Sequence, residues 1–181
     1  MKNITKLLLA SAIALFIGCE GDAGIPVVKT SETLTVKSFD VSTGAVTEDV
    51  KIESSKTGTT MEIASGTVFQ DAEGNAITEA PKAEVVVEKS TSEAKTVIDF
   101  TTADGTKVIP TESVVISVPA PEGAKAGDTV QIEVPDDGSI QSKLIFVVVK
   151  ADGTVDVRVF PSAFRKTIVI VVKTKTDNST N

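Results

Sequence analysis

Beyond residue 18 the apolar side chains of this chain are dominated by valine: 26 valines stand against two leucines, Leu34 and Leu144. A side chain branched at Cβ is stiff at χ1, crowds the turn of a helix and packs well on a pleated surface. The valines lie in short segments divided by Gly, Asp, Asn and Pro, the residues that supply turn conformations. About ten to twelve strands at spacings of about 8 to 12 residues are expected, and such a pattern predicts an all-β fold, an antiparallel β-sandwich.

In chain order, 25–29 is a short apolar run, and 33–39 sets Leu34, Val36 and Ser38 against Thr35, Lys37 and Phe39. Segment 46–53 alternates loosely enough to suggest a bulge or an edge position. A polar loop at 54–59 precedes strands at 60–64 and 66–70. Asp71-Ala72-Glu73-Gly74-Asn75 then turns the chain toward strands at 83–89 and 95–101. Ala103-Asp104-Gly105-Thr106 is a hairpin signal, because Asp-Gly tolerates positive φ. After a strand at 113–118, the stretch 119–128 carries Pro119 and Pro121 and is expected to be an exposed connection.

Segment 129–134 presents Val130, Ile132 and Val134 on one side and Gln131 and Glu133 on the other, so one face is core and one is wet. A turn at 135–139 follows. The apolar run 144–149, the turn Ala151-Asp152-Gly153-Thr154 and the alternation of Val155, Val157 and Val159 together read as the clearest hairpin in the chain. The run Ile168, Val169, Ile170, Val171, Val172 is predicted to be buried on both faces or covered at the end of a sandwich.

The first 18 residues follow a different rule. Lys2 and Lys6 precede a weakly polar to apolar run from 7 to 18 that ends on Gly18, the layout of a secretory signal peptide. That run falls short of the roughly 20 apolar residues of a spanning helix. Phe16-Ile17-Gly18-Cys19 resembles the lipobox of bacterial lipoproteins, with Phe16 where leucine is commonest. The resemblance implies cleavage between Gly18 and Cys19, acylation of the Cys19 thiol by a palmitate-type chain, and a membrane anchor in the cell envelope, at the outer membrane. An ordinary signal peptide cut nearby would leave a stray thiol, and an odd cysteine in an exported chain needs an explanation. The organisation expected is a signal peptide at 1–18, a lipidated tether at 19–31, a β-sandwich at 32–175 as one domain or two small packed modules, and a tail at 176–181.

Loss of 1–18 would leave 163 residues and change the net charge from −7 to −9. That is length enough for a real core. With Cys19 the sole cysteine, the fold must hold by packing without disulfides. Basic residues scattered singly among acids do not form the clustered cations that nucleic acid or anionic lipid needs, so no nucleic-acid partner is expected. The chain has no Trp, Tyr or His, which removes the usual aromatic hot spots and the usual proton carrier near neutral pH.

Asp71-Ala72-Glu73-Gly74-Asn75 begins like an EF-hand loop, but its Gly comes one position early and Lys82 replaces the closing carboxylate, so no metal is expected. The pair Asp136-Asp137 is accounted for as turn chemistry. No nucleophile elbow, Ser-x-x-Lys or Gly-rich phosphate loop is present, and neither catalytic residues nor a cofactor are expected.

The stretches 65–75, 121–128 and 164–172 resemble the extracytoplasmic, Ig-like or ZU5-like β-sandwich modules of Bacteroidota surface lipoproteins. ZU5-related modules can carry a self-cleaving His-Phe-Ser; Phe160-Pro161-Ser162 lacks the His, so no self-cleavage is implied. Asp128-Thr129-Val130 resembles the O-glycosylation signal of that bacterial group. The expected function is a lipid-anchored, non-catalytic binding or structural module whose partner is a protein or a glycan. The alternatives are a fimbrial or adhesin subunit that assembles by strand addition, and a carbohydrate-binding module.

Overall fold

In the computed structural model, which describes residues 26–133 and 144–175, the valine-rich segments become strands. They are β1 (Val28–Thr35), β2 (Phe39–Asp40), β3 (Ala45–Val46), β4 (Val50–Glu53), β5 (Thr60–Ile63), β6 (Phe69–Gln70) and β7 (Lys82–Lys89). The series continues with β8 (Glu93–Thr101), β9 (Ile109–Pro110), β10 (Val114–Pro119), β11 (Thr129–Glu133), β12 (Leu144–Val148), β13 (Thr154–Val159) and β14 (Ile168–Thr174). A 3-10 turn, Pro161–Arg165, stands between the last two.

A six-stranded sheet has the order β1-β7-β8-β14-β11-β12 and a four-stranded sheet the order β13-β10-β5-β4. Two small ribbons, β2-β3 and β6-β9, complete the described strands. Every pairing is antiparallel. The fold is an all-β antiparallel sandwich, as the sequence predicts.

Alternation places the core between the sheets. The six-stranded sheet contributes Ala83, Val85 and Val87, then Ala94, Ile98 and Phe100, then Ile168, Ile170 and Val172; the four-stranded sheet contributes Met61, Ile63, Val114, Ile116, Val155 and Val159. All belong to one continuous hydrophobic cluster. Each fully buried Val or Ile is worth about 1.5 to 3 kcal/mol as an upper figure. Four of the six phenylalanines beyond residue 18 form a chain through this core: Phe39 to Phe69, Phe69 to Phe100 and Phe100 to Phe164, with centroids 6.4, 6.1 and 5.4 Å apart.

Several local expectations change. Strand β1 begins at Val28, so pairing with β7 reaches four residues into the stretch expected as tether. Segment 46–53 is divided between β3 and β4, which belong to different sheets. Gly44, at φ +70°, makes the turn before β3; a Cβ there would lie 2.9 Å from the Ala76 Cβ. The connection 119–128 is only partly exposed, because Pro119, Ala120 and Pro121 are buried. Proline brings no N–H that burial would orphan, and the Ala120 N–H donates to the Gly153 carbonyl at 2.9 Å.

The largest correction concerns the expected hairpin at 144–160. Strand β12 pairs with β11 in the six-stranded sheet, whereas β13 pairs with β10 in the other. The turn itself forms: Gly153 N–H donates to the Lys150 carbonyl at 3.0 Å and Lys150 N–H to the Thr154 carbonyl at 2.8 Å. It closes one rung and then hands the chain across the sandwich. Val155, Val157 and Val159 bury themselves opposite Val118, Ile116 and Val114, which a two-stranded ribbon could not offer them. The run 168–172 lies inside the six-stranded sheet, between β8 and β11. Its Ile168, Ile170 and Val172 are buried, while Val169 and Val171 on the outer face are half-buried.

Candidate interaction surface

The outer face of the four-stranded sheet follows from its register. Inward positions hold apolar side chains, so the alternate positions form rows across the strands: Lys51, Glu62, Val115 and Arg158 in one, Glu53, Thr60, Ser117 and Asp156 in the next. An open trough of about 640 Å³ lies over the end of this face, lined in part by Asp49, Glu62, Ser65, Glu112 and Arg158. Asp49 closes one wall by accepting the Ser65 N–H at 2.8 Å.

In the second row, burial on its own would raise the pKa of Asp156. The Ser117 hydroxyl at 2.6 Å and the Lys150 ammonium at 2.9 Å outweigh that and hold the carboxyl below the usual aspartate range. Such a face makes polar contacts of both signs. Among the described residues no aromatic ring lines the trough.

The aspartates of the tight turns are occupied by their own loops. Asp40 accepts the Ser42 hydroxyl at 2.7 Å and N–H at 2.8 Å, and the Thr43 hydroxyl at 3.1 Å. Asp71 accepts the Asn75 side-chain amide at 2.9 Å and the backbone N–H groups of Asn75 and Glu73 at 2.8 and 3.0 Å. Asp104 and Asp152 receive the N–H of Thr106 and Thr154 at 3.1 and 3.0 Å. These hydrogen bonds, side-chain donors foremost, hold all four carboxyls below their ordinary range. Turn closure therefore accounts for the carboxylate of the EF-hand-like loop 71–75. Among the described residues, no group of three or more His, Cys, Asp or Glu is placed to hold a metal.

The other feature is β12, the edge strand of the six-stranded sheet among the described residues. Ile145, Phe146 and Val148 are 44%, 58% and 59% exposed, three of the seven large hydrophobics exposed among the described residues. Sequence reasoning missed this, since a continuous apolar run reads as buried. Register is the cause: Phe146 and Val148 stand opposite Gln131 and Thr129 on the outer face of the sheet, and of the three only Ile145, opposite Ile132, lies on the inward side.

Of the residues singled out from sequence, Gly18 and Cys19 lie outside the described residues, as do the signal peptide 1–18, the pair Asp136-Asp137 and the tail 176–181. Thr129 is exposed at the start of β11, and Asp128 before it accepts the Lys125 N–H at 2.7 Å. Among the described residues, no helix is long and apolar enough to cross a membrane. Comparison with protein-family models, curated proteins and solved structures finds no match to this chain.

Proposed function

We propose that this is a lipid-anchored protein of the cell envelope, at the outer membrane, whose β-sandwich serves as a binding or structural module and not as a catalyst. The observation that carries the reading is where the fold begins relative to the lipobox-like cysteine. Val28, the first residue of β1, comes nine positions after Cys19. Nine residues span at most about 30 Å. A lipid on Cys19 would thus hold the sandwich close to the bilayer by an outer strand of the six-stranded sheet. The mixed-charge face of the four-stranded sheet and the β12 edge would stay open to partners. The charged leader, its short apolar run and the resemblance to sandwich modules of surface lipoproteins support the same reading.

Metabolic labelling with a palmitate analogue tests it. The full chain should take up label and fractionate with membranes, and Cys19→Ser should take up none. Label retained in the serine variant, or absent from the parent, refutes the anchor. A second reading, a subunit that assembles by strand addition, is favoured by the unguarded β12 edge.

A further inference from the structure

We infer that β12 is a pairing edge for a second copy of this chain, joined antiparallel about a two-fold axis at Phe146 so that two six-stranded sheets become one. The inference rests on edge chemistry and does not require the lipid anchor. The two larger sheets end in four edge strands, and three are guarded by charge. Strand β1 carries Lys29 and Glu32, β4 carries Lys51 and Glu53, and β13 carries Asp156 and Arg158. Charged side chains on an edge are a device against unwanted pairing. Strand β12 reads Leu-Ile-Phe-Val-Val, with neither charge nor proline.

Its backbone has the matching polarity. Val149 N–H donates to the Asp128 carbonyl at 2.9 Å at the end of the β11-β12 ladder. In an antiparallel ladder the hydrogen-bonded positions alternate, so the N–H and C=O groups of Phe146 and Val148 point away from β11. A two-fold pairing centred on Phe146 uses those outward groups: Phe146 meets Phe146 of the second copy, and Ile145 meets Val147. Apolar side chains then cover one another on both faces of the joined sheet, and no like charges oppose across it. A second copy fits where another edge does not, because pairing β12 with β1, β4 or β13 of a neighbour would set its apolar row against guarded strands. A two-fold contact is closed, so it ends at a dimer.

Cysteine cross-linking of the full chain in the cells that express it, whichever fraction holds it, tests the arrangement. Residues paired across an antiparallel ladder have Cα atoms about 5.5 Å apart, within disulfide reach. Under mild oxidation Phe146→Cys should give a covalent dimer, beyond any given by the unsubstituted chain or by Thr33→Cys on the exposed side of β1. Adding Val148→Pro, or separately Val148→Lys, should abolish that dimer; proline is tolerated on an edge whose N–H faces outward, and the lysine keeps the backbone intact. Phe146→Cys dimerising no more than Thr33→Cys overturns the inference, as does a yield indifferent to both Val148 variants. A ladder of higher species from the Phe146→Cys/Thr33→Cys double variant also overturns it, because that pattern means head-to-tail pairing of β12 with β1.

Discussion

Thr96 stands in the middle of the six-stranded sheet with Val87 opposite on one side and Ile170 on the other. All three side chains are 0% exposed, and the Thr96 hydroxyl has no hydrogen-bond partner among the described residues. Burying a hydroxyl unpaired costs about 1 to 3 kcal/mol by mutational measures. Thr96→Val keeps the shape, removes that cost and adds an apolar methyl worth up to about 0.8 kcal/mol. The variant should therefore be more stable by about 1 to 3 kcal/mol, with a thermal midpoint higher by about 2 to 4 °C per kcal/mol. Equilibrium urea unfolding, read as a shift of midpoint at constant slope, measures the gain. Thr57→Val supplies a control of opposite sign, since the Thr57 hydroxyl donates to Ser54 Oγ at 2.6 Å and accepts the Thr59 N–H at 3.3 Å. A loss of stability in Thr96→Val would refute the reasoning, because it would mean that the hydroxyl has a partner worth more than its desolvation.

Two further outcomes follow from the fold. Truncation before Lys166 removes β14, whose Ile168, Ile170 and Val172 are at most 1% exposed. At about 1.5 to 3 kcal/mol each, before the ladders to β8 and β11 are counted, the loss is comparable with a typical stability of about 5 to 15 kcal/mol. The truncated chain should be unfolded or aggregated by circular dichroism, and a folded monomer would show that β14 is dispensable. On acidification, the carboxyls of Asp40, Asp71, Asp104 and Asp152, all held below their ordinary range, should lose their contribution. A depressed folded-state pKa contributes stability that is present above the unfolded value, about 4, and is lost as pH falls through the lower folded values. The urea midpoint should be insensitive to this group of residues from pH 7 to about 5 and should fall below about pH 4; a rise there would contradict the turn hydrogen bonds.

The organisation that acts within a few residues was legible in the sequence. β-branched runs mark β7, β8, β10, β13 and β14 as strands, and alternation marks the inward faces of β11 and β13, because a period of two and a stiff χ1 are properties of the segment itself. Asp, Gly and Asn mark the turns for the same reason. The candidate surface was not legible, since the row Lys51, Glu62, Val115, Arg158 exists only after four strands distant in sequence take one register.

The turn Ala-Asp-Gly-Thr separates the two kinds of information. It occurs at 103–106 and 151–154, with the same carboxylate-to-Thr bond and positive φ at Gly105 and Gly153, so its local form belongs to the sequence. After the first copy, the chain makes one bridge back, Thr101 to Lys107, and leaves for the β6-β9 ribbon. After the second it crosses to the other sheet. A tight turn commits only its first rung, and the strand beyond goes wherever its apolar face is best covered. That choice depends on surfaces contributed by remote segments, and so the partition of strands between sheets, the interior place of β14 and the edge place of β12 among the described strands were decided by the tertiary structure alone.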